Sequence, residues 1–410
     1  HAMHMASSPT RKLRFCFVTR YYPPMMGSGA PRMEDFTKIL AEVGHEVHVV
    51  TTYPPHGFPT VKEELPSKGR LIVHRVKVPQ VASPIIYALL LTITFFLYTI
   101  YVALKDAVNI IVATVPNEDA GIAGWLAANI IRRPLIIDVR DDWESMILEV
   151  GGSKYFIAML YNLFSLIYRS ADAVLCTSMT LRSKLIKRGA KPSQVKWLPN
   201  AADTSLFKPL NEARVLQIRA QHKVKGPMIV WTGTFNIHQA IETLIKTTPK
   251  VSEAFPDVQI FLAGGGPLEP QLKKLRDKLN ADCVKFLGIL SRAKVAELIA
   301  AGDVAIVTMR ESASCRSRIP MRFYEYIACG VPVVASIPPN SELAQIIVDN
   351  KVGIVVPAED PNALASGIIN LLKNPKLAKE YGTNGRNLAI RNYDRHALTM
   401  RLLEIARTLV

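Results

Sequence analysis

Cysteine is scarce in this chain and follows no pattern. Five cysteines occur in 410 residues. They form neither a Cys-x-x-Cys pair nor a group with histidine: Cys16, Cys176, Cys283, Cys315 and Cys329. This scattered, odd-numbered set argues against a disulfide framework and against a structural zinc site, and it fits a reducing compartment.

Aromatic residues are also few, at 8%, and they do not alternate with basic residues. The chain has neither zinc-finger spacing nor a recognition-helix motif, so we expect no nucleic-acid partner. Acidic residues are in deficit, because 34 Asp and Glu face 50 Lys and Arg, which gives a net charge of +16. This excess favours other anionic partners, namely the acidic face of a membrane or a nucleotide diphosphate.

What the sequence does contain is the alternation of an α/β protein. Residues 14–19 form an apolar run typical of a buried strand, residues 31–43 an amphipathic helix and residues 46–51 a second strand. Such a unit predicts a parallel sheet, and the rhythm resumes after a polar stretch, so we predict two Rossmann-like domains. The predicted division is a cloning remnant at 1–9, an N-terminal domain at 10–208, a linker at 209–226, a C-terminal domain at 227–392 and a terminal helix at 393–410.

One long segment of the first domain carries no charge. Residues 81–104 contain no Asp, Glu, Lys or Arg, and about 20 helical residues suffice to cross a bilayer core. A spanning helix would put strands of one sheet on opposite sides of the membrane, so a helix or helical hairpin that dips into one leaflet is the better prediction. A buried core helix is the alternative, here and for a second apolar stretch at 155–168. Basic pairs such as Arg132-Arg133 and Lys187-Arg188 would help to hold an anionic leaflet.

Two glycine-rich turns in the second domain follow predicted strands. Glycines there let backbone N–H groups approach phosphate oxygens, and the start of the next helix favours negative charge. A plain turn is the alternative at each. The candidate donor-binding residues at these turns are Gly233, Thr234, Phe235 and Asn236 in the first and Gly264, Gly265 and Gly266 in the second.

A third junction, at residues 309–334, is richer in charge. Pro320 suits the first turn of a helix, and Arg322 and Glu325 are three residues apart, on neighbouring positions of one face. Guanidiniums beside a helix start can clamp a diphosphate, and a carboxylate one turn further along can accept hydrogen bonds from a ribose. A surface ion pair between Arg322 and Glu325 is an equal alternative. The donor candidates here are Arg310, Arg318, Pro320, Met321, Arg322 and Glu325.

This junction resembles the signature of family 4 glycosyltransferases, which have the GT-B fold. The run from Glu325 to Val334 is similar to the second half of that signature, and the run from Pro320 to Tyr326 is similar to the Pro-x-Lys-x-x-Glu-Tyr variant of polysaccharide and O-antigen transferases, including N-acetylfucosaminyl-type enzymes. Further similar stretches are residues 22–24, Gly27, 44–47, 138–144, 199–203 and 207–209. The resemblance implies two Rossmann-like domains that face a central cleft, with the terminal helix crossing back onto the first.

The implied chemistry is transfer of a sugar from a nucleotide diphosphate, a UDP-sugar above all, with retention of anomeric configuration. The resemblance implies no cofactor and no metal, because arginines and helix dipoles stabilise the departing phosphate in this fold. It assigns Arg140, Asp138, Arg322 and Glu325 to catalysis. The acceptor, a glycan or a lipid-linked sugar, is expected in the first domain, at the cytoplasmic face of a membrane to which the protein is peripheral or monotopic. The acceptor candidates are Gly27, Ser28, Gly29, Arg32 and Asp141; a plain turn and a structural salt bridge are their alternatives.

The sequence departs from the family pattern in two places. Ser317 stands where the first glutamate of the signature is usual, and Asn236, His238 and Gln239 stand where many members have a basic pair. Two other functions therefore remain open. One is an inactive homologue that acts as a membrane-bound partner or nucleotide-sugar sensor, and the other is a nucleotide-sugar 2-epimerase.

Overall fold

The computed structural model describes residues 11–25, 29–53, 69–144, 147, 151 and 153–410. These residues fall into two compact units, one comprising the chain up to Pro199 together with Leu398–Val410, the other comprising Asn200–Ala397. Each unit is built on one parallel sheet, in the order β3-β2-β1-β4-β5-β6-β7 in the first and β10-β9-β8-β11-β12-β13 in the second. The prediction of two Rossmann-like α/β domains is confirmed.

In the part of the first unit that the structure describes, the sheet has seven strands. They are β1 (Arg14–Val18), β2 (Glu46–Thr52), β3 (Arg70–Val76), β4 (Ile110–Val115), β5 (Leu135–Val139), β6 (Ala173–Cys176) and β7 (Val195–Trp197). Its helices are α1 (Ala30–Glu42), α2 (Pro84–Lys105), α3 (Glu118–Ile131), α4 (Lys154–Ser170) and α5 (Met179–Lys187). The central strands are apolar runs buried along their whole length, because helices cover both faces of a parallel sheet.

Most of the uncharged segment forms one continuous helix, α2, so of the two predicted forms, a helix or a helical hairpin, the single helix is the one present. The helix connects β3 to β4 and packs against α3 and the sheet, with Leu91, Phe95 and Val102 fully buried. Its other face is open, since Leu89 and Leu97 are 58% and 59% exposed. Within the described residues α2 is the one helix long and apolar enough to cross a bilayer, judged by length and composition alone.

The second unit has six strands. They are β8 (Met228–Thr234), β9 (Gln259–Gly265), β10 (Val284–Gly288), β11 (Val304–Thr308), β12 (Val333–Ser336) and β13 (Gly353–Val356). Its helices are α6 (Glu212–Gln221), α7 (Glu242–Ile245), α8 (Thr248–Ala254), α9 (Glu269–Lys278), α10 (Arg292–Ala301), α11 (Ala313–Arg316), α12 (Met321–Ala328), α13 (Glu342–Asp349), α14 (Pro361–Lys373) and α15 (Pro375–Asn392), with a 3-10 turn at Ile237–Gln239.

The stretch predicted as a linker, residues 209–226, contains helix α6 and belongs to the second unit. Ile218 is buried, Arg214 pairs with Glu297 at 2.6 Å, and Arg219 donates to the Ala301 carbonyl at 2.9 Å. The division between the units falls at Pro199 and Asn200 instead. The polar composition of this helix hides it in the sequence, because arginines rather than an apolar stripe fasten it.

The terminal helix α16 (Arg395–Leu409) groups with the first unit from Leu398 onward. Leu402 and Ala406 are fully buried, and Arg401 donates to the Trp197 carbonyl at 3.0 Å. The chain therefore returns to its first unit at its end.

Candidate functional site

The strand order of the second sheet reverses between β8 and β11, and ligands bind at the carboxyl ends of strands beside such a reversal. Side chains of both strands are tied together there. Trp231 donates its indole N–H to Thr308 Oγ1 at 3.1 Å, and the Thr232 amide donates to the hydroxyl of Tyr326 at 2.9 Å. Helix α12, which carries Tyr326, is thereby held against the end of β8.

Arg322, one turn before Tyr326, is the most informative side chain of this edge. Its guanidinium lies 4.8 Å from the ring centre of Trp231, and its Nη2 donates to the Gln239 side chain and, at 3.2 Å, to the Thr308 carbonyl. Its Nε is buried without a hydrogen-bond partner among the described residues. Burial lowers the pKa of Arg322, opposed by the charges of Tyr326 and Glu325, yet an arginine stays protonated. A buried cation with an unused donor suits an anionic ligand.

The glycines predicted to lie in turns meet each other beside this arginine, and the structure places Gly233 and Gly264 in the last residues of β8 and β9 instead. Gly233 pairs with Gly264 across β8 and β9, and a Cβ at Gly264 would lie 1.7 Å from the Gly233 carbonyl oxygen. A Cβ at Gly233 would lie 2.9 Å from Nη1 of Arg322. These glycines thus allow the strand ends and the guanidinium to approach closely. Close packing therefore requires glycine at these positions, in addition to any role in phosphate binding.

Glu325 lies on the same helix, near the guanidiniums of Arg292 and Arg322. Burial raises the pKa of its carboxyl group to about 7, and the two arginines oppose that shift. No hydrogen bond from a described residue reaches the carboxylate. It therefore offers an acceptor whose charge changes near neutral pH.

The other arginines predicted for the donor differ in how far their charge is matched. Arg310 contacts the carboxylates of Glu242 and Glu359 at 2.6 and 2.8 Å, so a phosphate would compete with both. Arg318 lies close enough to Arg322 for its charge to lower that residue's pKa. The structure brings Arg318 and Arg322 together and engages Arg310 in a carboxylate network.

The remaining donor candidates have mixed surroundings. Phe235 is fully buried between Trp231 and Phe286, Asn236 caps the 3-10 turn through its side chain, and Thr234 is exposed at the end of β8. Pro320 occupies the N-cap position, so the helix begins one residue later than predicted, at Met321, which is partly exposed. Phe235 packs in the core of the second unit and presents no ring to solvent.

In the first unit, Arg32 and Asp138 form a closed ion pair. Arg32 donates from Nε and Nη2 to the two Asp138 oxygens at 3.0 and 2.8 Å, and its remaining donors reach the carbonyls of Leu198 and Pro199, both at 2.7 Å. Both side chains are buried, Asp138 completely. Each group satisfies the other, which matches the alternative of a structural salt bridge.

Arg140, predicted to be catalytic, lies next to Gly29, predicted to contact the acceptor. A Cβ at Gly29 would lie 1.7 Å from Nη1 of Arg140, and Gly29 has a φ of +81° that favours glycine. Arg140 Nε donates to Thr114 Oγ1 at 3.0 Å. Burial lowers its pKa, and Asp138 and Asp141 oppose that shift. The structure therefore places Gly29 beside the strand end at Asp138–Asp141.

Two acceptor candidates, Gly27 and Ser28, lie outside the described residues. Asp141 is half-buried and lines a cavity of about 230 Å³ with Asp142, Glu144 and Arg188. The Glu144–Arg188 pair in that cavity measures 2.6 Å.

Trp231, Thr308 and Tyr326 belong to this site, although the motifs did not mark them as functional residues. The helical period could have found Tyr326, which is one turn after Arg322. Trp231 and Thr308 lie at or near the ends of two strands, and they meet only because those strands are neighbours in the sheet. Strand order is not visible in the local sequence.

Among the described residues, one group could hold a metal ion: Glu46, His48 and Asp106. Both ring nitrogens of His48 already have partners, Glu46 at 2.8 Å and His74 at 2.9 Å. The group belongs to the first unit, whereas the donor candidates belong to the second.

The chain has two parallel-sheet units with cationic side chains at the strand ends of each. Known proteins with a similar sequence or fold show which class of enzyme has this architecture. The chain is similar to the GDP-mannose-dependent alpha-(1-6)-phosphatidylinositol monomannoside mannosyltransferase of Mycolicibacterium smegmatis, with 26% identity over 266 residues, 63% of this chain and 67% of that protein. Its fold resembles that of sucrose-phosphate synthase from Thermosynechococcus elongatus, with a TM-score of 0.78 at 21% identity over 97% of this chain and 99% of that one. The fold also resembles Anabaena HepE in complex with UDP-glucose, with a TM-score of 0.71 at 18% identity over 97% of this chain and 100% of that one. The protein is a glycosyltransferase with the GT-B fold.

The family follows from matches in both halves. Residues 27–201 match the glycosyl transferase 4-like domain, and residues 216–388 match the glycosyl transferases group 1. The chain belongs to glycosyltransferase family 4, as its sequence motifs indicated.

Proposed function

We propose that this glycosyltransferase is a retaining enzyme that moves a sugar from a UDP-sugar to a lipid-linked or glycan acceptor at the cytoplasmic face of a membrane, without a metal. The motif from Pro320 to Tyr326 favours the polysaccharide branch that includes N-acetylfucosaminyltransferases. The observation that carries the donor assignment is the buried guanidinium of Arg322 beside Gly233, with Glu325 one turn further along α12.

The charges at this edge suit a nucleotide diphosphate. Arg322 has an unused buried donor and Arg318 adds a second positive charge, so the diphosphate would lie beside these two residues. The Glu325 carboxylate would accept hydrogen bonds from the ribose hydroxyls. As the sugar leaves, negative charge grows on the diphosphate, and fixed cations in a site shielded from water stabilise it most at that moment.

Replacement of Glu325 tests the donor assignment. Loss of a charge-assisted hydrogen bond costs about 1.5–3 kcal/mol, so Glu325→Ala should weaken UDP binding roughly 10–150-fold in calorimetry. A thermal-shift screen of UDP, GDP and ADP on the unmodified protein should give its largest shift with UDP, because bound ligand stabilises the folded state. Unchanged UDP affinity in Glu325→Ala contradicts the assignment of the ribose contact.

The pH dependence of the same binding gives an internal control. Because the pKa of Glu325 is raised to about 7, the carboxylate is ionised above that pH and increasingly protonated below it. UDP affinity should therefore fall from pH 8 to pH 6 more steeply in the wild-type protein than in Glu325→Ala. Protonation of the UDP phosphate itself, with a pKa of about 6, affects both proteins equally.

An apolar face of the first unit supports the membrane assignment. Helix α3, which packs against α2, and helix α4 also expose apolar side chains, since Ile130 of α3 and Met159 of α4 are 62% and 57% exposed. Exposed basic residues lie at the carboxyl ends of α2 and α3, Lys105 as the last residue of α2 and Arg132-Arg133 just after α3. An apolar surface edged by positive charge suits an anionic leaflet, with α2 lying against it rather than spanning it.

Replacement of two leucines of this face tests the membrane contact. Full burial of a leucine is worth about 1.5–3 kcal/mol, so two half-exposed leucines contribute about 2 kcal/mol, or roughly 30-fold in partitioning. Leu89→Gln/Leu97→Gln should lose co-sedimentation with phosphatidylcholine–phosphatidylglycerol vesicles by that factor. The matched control, Leu216→Gln/Ile289→Gln, changes two exposed residues of the second unit, 60% and 86% exposed, and should sediment like wild type. Equal sedimentation of both variants contradicts the proposal.

A further inference from the structure

Arg20 is a cation whose donors are unused at the strand ends of the first sheet. It follows β1 by two residues, and its guanidinium lies 5.8 Å from the ring centre of Tyr21 and 5.7 Å from that of Tyr87. The carboxylate of Asp119 is 3.4 Å from its Nη1. Among the described residues its guanidinium makes no hydrogen bond, so its five N–H donors are available.

The position of Arg20 is one where ligands bind. The first sheet reverses its strand order between β1 and β4, and a crevice opens beside the carboxyl ends of such strands. Arg20 comes from the end of β1, and Asp119 comes from the first turn of α3, just after β4. The two side chains therefore meet at the reversal itself.

Asp119 is placed to hold Arg20 without cancelling its charge. It is fully buried, and its Oδ2 has no hydrogen-bond partner among the described residues. Burial raises the pKa of Asp119 to about 7, Glu118 adds to the shift, and Arg20 and the Ala120 amide oppose it. Near neutral pH the carboxyl group of Asp119 is ionised only in part, so it offsets only part of the positive charge of Arg20 and leaves the rest for an incoming anion.

Tyr87 connects this cation to the apolar face of α2. It lies in the first turn of that helix, beside Ile85 and Ile86, which are 67% and 50% exposed. The exposed face then continues to Leu104, which is 63% exposed at the far end. A charged group at Arg20 is thus at one end of a long apolar surface.

We propose that Arg20 binds the phosphate or diphosphate group of a polyprenyl-linked acceptor whose hydrocarbon chain lies along the exposed face of α2. Guanidinium groups bind phosphate through paired N–H donors, and the tyrosine rings fix the plane of the group. The inference rests on the proposed transfer to a lipid-linked acceptor and assigns the acceptor a binding residue that the motifs do not contain.

Vesicles that differ only in their anionic lipid test this site. One set is phosphatidylcholine with a small fraction of polyprenyl diphosphate, and the other carries the same charge as phosphatidylglycerol. Arg20→Gln should weaken binding to the first set roughly 10–150-fold, as expected for a hydrogen bond to a charged group, and should leave binding to the second set and to UDP unchanged. The control Arg14→Gln changes the opposite end of the same strand, where Arg14 is 3.8 Å from Glu46, and should behave as wild type.

Each of the other possible outcomes contradicts one part of the proposal. Equal binding of both vesicle sets by Arg20→Gln and wild type removes the site. If Arg20 gives free pyrophosphate the same affinity as the lipid, the site binds a soluble diphosphate and the hydrocarbon chain plays no part. Arg20→Lys keeps the charge but loses the fork, so its predicted intermediate loss decides the matter if Arg20→Gln does not fold. A wild-type protein that binds no nucleotide contradicts the proposed function, whereas nucleotide binding with Arg20-independent lipid binding contradicts only this inference.

Discussion

Arg322→Ala is expected to reduce the rate of sugar transfer at saturating donor about 10²–10³-fold, the cost of removing one fixed donor that stabilises developing charge. Arg322 is held by Gln239, by the Thr308 carbonyl and by the Trp231 ring. It is therefore already oriented before the donor binds. Because negative charge on the diphosphate grows as the sugar departs, kcat should fall more than KM rises.

The control for this experiment is Arg316→Ala. Arg316 is exposed and pairs with Glu311 at 2.9 Å, so the change should alter the rate less than about twofold, as for a surface ion pair. Arg322→Lys should recover only part of the rate, because one ammonium group cannot replace a planar fork. A folded Arg322→Ala protein, judged by its unfolding midpoint, with a wild-type rate would place the donor elsewhere.

The local sequence was sufficient for α12, and it located the glycines of this edge, although Gly233 and Gly264 lie within β8 and β9 and not in turns after them. Pro320 and Gly330 mark the two ends of the helix, the spacing of Arg322 and Glu325 puts them on one face, and the glycines follow apolar runs. What the local sequence could not supply is strand order. Of the neighbours of Arg322, Thr308 is 14 residues away along the chain, but Gln239 and Trp231 are 83 and 91 residues away. The parallel pairing of β8 with β11 brings these distant residues to the same edge.

Solvent exposure was the second quantity that composition left open. The uncharged stretch at 81–104 favoured a membrane-contacting helix but left a buried core helix open, because both are apolar. Packing against α3 and the sheet buries one side of α2 and leaves the other open, which the sequence could not decide. Polar helix α6 is the opposite case. Its composition predicted an exposed linker, but its arginine side chains fasten it to the second unit.

Replacement of Asp138 separates a structural role from a catalytic one, and stability is expected to respond. Asp138→Asn keeps the shape but removes the charge that matches Arg32, and breaking a buried ion pair by changing one partner costs about 3–5 kcal/mol. The first unit should therefore unfold at markedly lower urea concentration, while kcat of the protein that remains folded stays near wild type. Arg32→Met should be as destabilising, because it leaves Asp138 charged and alone.

The double variant Arg32→Met/Asp138→Leu sharpens this distinction. Replacing both members of a buried pair by apolar residues is often neutral, but here the carbonyls of Leu198 and Pro199 would also lose their donor. We therefore expect recovery of part of the unfolding free energy, less than the full amount. If Asp138→Asn instead leaves the urea midpoint unchanged and lowers kcat, Asp138 acts on the substrate, as the family resemblance implied, and the ion pair with Arg32 must open during the reaction.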